Sequence, residues 1–177
     1  DAIAVGTFAN KPGIVALTRQ ATFYPLDRVR LLGADPNGLA IDQSMSPTVG
    51  LDCEGCTLAT IDLDGDGTDE AVGIKPNGDA QIYVLKSGVF EAMPVIKTGF
   101  APGTATTSYD AIRRRLVVDD VDADGKLDLI YMTTLSEVVI FWGDGKVGLD
   151  VAKATKVTQG DVLAFTLVDA IGDRAKE

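Results

Sequence analysis

Two short aspartate-rich segments, which align with one another without a gap, constrain this chain more than any other feature of its sequence. Ile61-Asp62-Leu63-Asp64-Gly65-Asp66-Gly67-Thr68-Asp69-Glu70-Ala71-Val72 lies over Asp119-Asp120-Val121-Asp122-Ala123-Asp124-Gly125-Lys126-Leu127-Asp128-Leu129-Ile130. Counted from the first aligned acid (Asp62, Asp120), carboxylates stand at positions one, three, five and nine, with glycine at six. Alternate side chains of an extended segment point the same way. Asp62, Asp64 and Asp66 therefore converge on one point, as do Asp120, Asp122 and Asp124. At a separation of about 4 Å each carboxylate pair repels by roughly 1–4 kcal/mol, and a hard divalent cation turns that repulsion into binding energy. Gly67 and Gly125 supply a positive φ that folds the chain back over the ion. Position seven (Thr68, Lys126) can then offer its backbone carbonyl, and position nine (Glu70, Asp128) a last carboxylate. An all-oxygen, multiply charged donor set favours calcium over zinc or copper, while magnesium prefers a tight octahedron and keeps its waters. The expectation is about two Ca²⁺ per chain.

An EF-hand begins in the same way, but it needs a bidentate Glu at position twelve and a helix on either side. Position twelve here is Gly73 in one loop and Tyr131 in the other. The flanks read as strands. Ile14-Val15-Ala16-Leu17, Ile82-Tyr83-Val84-Leu85 and Val138-Val139-Ile140-Phe141-Trp142 are short, β-branched and aromatic, and Gly, Asn, Asp and Pro separate such runs. Asn77-Gly78 signals a type I′ hairpin with positive φ at both central residues, and Gly143-Asp144-Gly145 reads in the same way. No stretch keeps helical apolar spacing for three turns; Tyr109 to Val117 comes nearest. The chain is predicted to be all-β.

The similarity extends beyond the two loops. A worn third copy runs from Asp169 to Glu177, with Ile171 at a ligand position and Arg174 in place of the glycine, and is expected to bind no ion. The opening Asp1-Ala2-Ile3-Ala4-Val5 matches Asp128-Leu129-Ile130-Tyr131-Met132. The ninth positions then fall at Asp1, Glu70, Asp128 and Glu177, dividing a single repeat region, 1–177, into units of about 1–69, 70–127 and 128–177. Units of this size suit one four-stranded blade of a propeller. The long first unit is expected to hold an insertion between Asp35 and Cys56. The predicted fold is thus about three blades of four antiparallel strands, a partial propeller or part of a larger ring.

The pattern D-x-D-x-D-G-x-x-[DE] between strands, repeated at blade spacing, resembles the FG-GAP and VCBS repeats of integrin α-subunit propellers and many secreted proteins. Gly99-Phe100-Ala101-Pro102-Gly103 is a faint echo of the FG-GAP signature itself. The resemblance implies a propeller in which calcium rigidifies the hairpin between neighbouring strands. By position it implies ligands at Asp62, Asp64, Asp66, the Thr68 carbonyl and Glu70, then at Asp120, Asp122, Asp124, the Lys126 carbonyl and Asp128. Since propellers close with about four to eight blades, it also implies further blades or self-association.

Charge and composition narrow the function. A formal net charge of −10 argues against nucleic acid as partner, because phosphate backbones call for clustered Lys and Arg. Arg113-Arg114-Arg115 reads as a solvated strand edge. No run is long and apolar enough to insert in a membrane, and the first residues lack the pattern of a signal peptide. The absence of histidine removes Ser-His-Asp and Cys-His catalysis and the common zinc sites. Cys53 and Cys56 cannot complete a four-ligand zinc site; a local disulfide in an oxidising compartment is expected, with free thiols or redox chemistry as alternatives. The resulting expectation is a secreted or cell-surface, non-enzymatic adhesion or protein-interaction module with structural calcium. The alternatives are a carbohydrate-binding propeller, or a non-catalytic part of a polysaccharide-acting enzyme. Trp142 and Tyr83 occupy comparable strand runs and would be the aromatics of a sugar site, although buried packing explains them better.

Overall fold

The computed structural model describes residues 2–8, 11–19, 27–35, 38–42, 57–75, 77–87, 89–100, 116–133, 137–158 and 167, with backbone alone at 2, 3, 11, 13–19, 27–35, 38–42 and 89. Cys53, Cys56, the 113–115 cluster and the third loop from Asp169 lie outside these residues, as does 43–56 of the expected insertion.

Among the described residues, twelve strands form three four-stranded antiparallel sheets, each a simple meander. The first contains β1 (Ala2–Phe8), β2 (Lys11–Arg19), β3 (Asp27–Asp35) and β4 (Gly38–Asp42). The second contains β5 (Thr57–Ile61), β6 (Glu70–Ile74), β7 (Ala80–Lys86) and β8 (Val89–Ala92). The third contains β9 (Leu116–Asp119), β10 (Asp128–Met132), β11 (Glu137–Phe141) and β12 (Thr155–Thr158), with one 3₁₀ turn, Val151–Lys153, before its last strand. The first strands stand side by side, β1 next to β5 and β5 next to β9. This is the arrangement of successive propeller blades, as the sequence predicted.

The apolar runs follow from sandwiching. In β6 and β10 every residue is buried, because both faces of these strands are covered. Ala59, Ile61, Val72, Ile74, Ile82 and Val84 of the second sheet pack against Leu129, Tyr131, Val139 and Phe141 of the third. Phe100, which follows β8, closes this core edge-on against Phe141, with ring centroids 5.9 Å apart. On the opposite face, Phe90 meets Phe8 of the first sheet in a T-shaped contact at 5.6 Å. Tyr83, placed on that same face by the β7–β8 register, is fully buried, and burial raises its phenol pKa above the usual value. At the outer rim all four residues of β12 are exposed.

Three local expectations change. The Asn77-Gly78 hairpin exists, but only Gly78 takes a positive φ (+85°), so the turn is not type I′. Gly78 N–H instead donates to Lys75 O at 2.8 Å, and the Asn77 side chain bonds Asp79 at 2.9 Å, which lengthens the connection. Gly143-Asp144-Gly145 opens no tight hairpin: residues 142–154, including the 3₁₀ turn, separate β11 from β12. Finally, β1 is the first strand of its sheet, whereas the match of Asp1–Val5 with Asp128–Met132 gave it the place of a second strand. Both positions ask for the same short apolar run, so the sequence alone does not separate them.

Phe141→Ala should lower unfolding free energy by about 3–5 kcal/mol, because it opens a cavity in the packed apolar core between two sheets. Val157→Ala, on the exposed rim, should change it by less than about 0.5 kcal/mol. Urea unfolding of the two variants checks the contrast.

Candidate metal centres

Each aspartate-rich loop joins the first strand of a sheet to the second, Asp62–Asp69 between β5 and β6 and Asp120–Leu127 between β9 and β10. The strands on both flanks agree with the exclusion of an EF-hand. The loops share most of their hydrogen bonds, to which the first adds Gly65 N–H donating to Asp62 Oδ1 at 2.8 Å. Asp62 accepts from Asp66 N at 3.1 Å through Oδ1 and from Gly67 N at 3.0 Å through Oδ2. Asp120 accepts from Asp124 N at 3.1 Å and from Gly125 N at 2.9 Å in the same way. Asp64 and Asp122 then cap the amide two residues on, at 3.3 and 3.2 Å. Asp66 and Asp124 cap Thr68 N and Lys126 N, at 2.7 and 2.8 Å. These Asx-type turns wind each acidic run into a compact coil. Gly67 and Gly125 take the expected positive φ, +83° and +87°.

The fourth position is also left-handed, Gly65 at +76° and Ala123 at +59°. Sequence reasoning singled out only the sixth position. The signal was the unlike pair Gly65/Ala123, because alanine is a poor marker of this conformation.

The carboxylates converge on two points. Ligand-capable oxygens of Asp62, Asp64 and Glu70 lie within 4.8 Å of one another, and so do those of Asp120, Asp122 and Asp124. Asp66 is not a member of the first group, nor Asp128 of the second. Glu70 reaches its cluster while its Oε2 accepts Leu63 N at 2.9 Å. Asp128 is one methylene shorter, and both its oxygens are taken by backbone amides, Val121 N and Gly143 N, each at 2.8 Å. Gly143 is required there, since a Cβ would collide with the Leu127 carbonyl. Lys126 adds a further asymmetry, with its Nζ 2.6 Å from Asp124 Oδ2.

The electrostatics follow these contacts. Burial pushes the Glu70 carboxyl up to about 7, against the Leu63 amide and with help from Asp64, Asp66 and Asp62. Burial likewise raises Asp128, although the Gly143 and Val121 amides pull it down. Hydrogen bonding to the Lys126 ammonium holds Asp124 below the usual carboxylate range. The donors are all oxygen, several are charged, and the loops are curled around them. Such a set suits a hard divalent cation.

No protein-family model matches the chain, and no curated protein resembles it. Solved structures do match. One is a lectin of Agrocybe aegerita, described for its specific recognition of non-reducing terminal N-acetylglucosamine. It aligns over 92% of this chain and 39% of its own, with a TM-score of 0.59 and 19% sequence identity. At that identity the likeness bears on the fold alone, and this chain spans well under half of the lectin's length. The sheets, their order and this likeness define an all-β, propeller-type chain. No helix among the described residues is long and apolar enough to cross a membrane.

Two predictions follow from the loop geometry. Left-handed backbone costs alanine roughly 1–2 kcal/mol, and the extra freedom of unfolded glycine offsets about half of it. Ala123→Gly should therefore stabilise the chain by about 0.5–1 kcal/mol in urea unfolding. Separately, Glu70 titrates near 7 when folded and near 4.5 when unfolded. Between those values the folded chain retains a proton that the unfolded chain has lost, so the stability supplied by this group falls as pH rises through about 7. In chelator, the wild type should lose more stability from pH 5 to pH 8 than Glu70→Gln does.

Proposed function

We propose that the chain is a calcium-stabilised segment of a secreted β-propeller that binds carbohydrate. The observation that carries the glycan reading is the shared fold, across nearly the whole chain, with a lectin that recognises terminal N-acetylglucosamine. The acid-rich loops support the calcium reading through their chemistry and their resemblance to FG-GAP and VCBS loops. In this reading Asp62, Asp64, Asp66, Glu70 and the Thr68 carbonyl hold one ion. Asp120, Asp122, Asp124, Asp128 and the Lys126 carbonyl hold the other. The role of calcium is structural: it cancels carboxylate repulsion and rigidifies the turns that lead into β6 and β10. Extracellular free calcium suits sites of this kind, and the module is non-catalytic, its partner a glycan rather than nucleic acid.

A sugar ring stacks its C–H face on an aromatic side chain. Tyr83 is buried and unavailable for this, whereas Trp142 keeps a partly exposed face while its indole N–H donates to Thr155 Oγ1 at 2.8 Å. Trp142 is thus the aromatic to test first.

A glycan array probed in calcium and in chelator, with N-acetylglucosamine-terminated glycans included, tests the reading. Binding should appear in calcium, disappear in chelator and weaken in Trp142→Ala. At free calcium about 100 times the dissociation constant each site adds roughly 2.7 kcal/mol, so melting temperature should rise by several degrees per site. Two ions bound with no glycan retained would favour an adhesion or protein-interaction module. No calcium bound and no thermal shift would overturn the calcium reading.

A further inference from the structure

The seam between the first and second sheets is held by hydrogen bonds that arise at the first loop and the strand leading into it. Asp69, at the eighth loop position, donates its N–H to Thr7 O at 2.7 Å and accepts Thr7 N–H on its Oδ2, also at 2.7 Å. Thr60, in β5, donates its hydroxyl to Val5 O at 2.6 Å. Between these contacts lies Gly6, where a Cβ would strike both Asp69 Oδ2 and Thr60 Oγ1. The two sheets thus meet through backbone and side-chain hydrogen bonds across a gap that only glycine leaves open. The second loop is built otherwise. Its eighth residue is Leu127, which packs on the apolar core and turns its carbonyl toward Gly143 of the same sheet.

We propose that cation binding at the first loop fixes the docking of the first sheet on the second, with Asp69 as the positioning residue that carries the coupling. This rests on the reading of Asp62–Glu70 as a calcium loop. Asp69 sits between two ligands of that reading, the Thr68 carbonyl and the Glu70 carboxylate. An ion that holds both neighbours fixes the backbone at Asp69 and so the pair of bonds to Thr7. A ligand that favours the docked arrangement shifts the equilibrium toward it, and docking raises the ligand's affinity by the same factor. The second loop, with Leu127 at this place, has no such connection to the sheet before it among the described residues.

Hydrogen exchange of β1 amides, measured with calcium chloride and with chelator, tests the coupling. In the wild type, calcium should slow exchange at Thr7 and along β1 by about tenfold or more. Asp69→Leu, which gives the first loop the eighth residue of the second, should still bind two ions by calorimetry but lose this dependence. Thr60→Val leaves every loop carboxylate in place; by reciprocity it should weaken calcium severalfold at the first site and leave the second unchanged. If β1 exchanges equally with and without bound calcium, or if Asp69→Leu keeps the full effect, the coupling is overturned while the calcium reading stands. If the first loop binds no calcium, both fail together.

Discussion

Glu70 and Asp128 are carboxylates buried at the mouths of their loops, 5% and 1% exposed, and each accepts the amide of the second loop residue, Leu63 or Val121. That contact joins the end of the first strand to the start of the second and closes the acidic coil into a ring. It acts together with the Asx-type turns that curl each run of mutually repelling aspartates inward. Burying the acid has a cost, visible in the raised proton affinity of both groups. The arrangement therefore concentrates acidic charge at the point where strand pairing begins, and a cation held there would offset it. The loop and the sheet are thus parts of one device.

The two loops spend the same parts differently. In the first, the longer glutamate reaches the aspartates, and no ammonium pairs with them among the described residues. In the second, the two oxygens of Asp128 each accept a backbone amide, from Val121 and Gly143, while Lys126 pairs with Asp124 from within the loop. The first loop faces outward to another sheet through Asp69, and the second is secured to its own sheet through Gly143. Near-identical motifs thus serve different seams.

Much of this was legible in the sequence. The in-register acids fix the loops, the glycines at position six foretell the left-handed turns, and the short β-branched runs foretell strands. Residues that act over distance were not legible. Gly6 and Gly143 are glycine because of atoms on Thr60, Asp69 and Leu127, far away in sequence, and only assembled sheets bring those atoms near. The Asn77-Gly78 turn departs from type I′ because the side-chain bond from Asn77 to Asp79 competes with the tight turn, which the residue pair alone does not show. The place of β1 is not legible because first and second strands share one apolar pattern.

Burial falls steeply across the third sheet, from the wholly covered β10 to the wholly exposed β12. The covered strands ask mainly for apolar volume of about the right shape, which many side chains can supply. The rim asks for still less. The loop acids and the contact glycines Gly6 and Gly143 face narrower demands, set by hydrogen bonds and by the room left for a side chain. Positions under the looser demands accept many side chains without loss of shape, which accords with a fold shared with a lectin at 19% sequence identity.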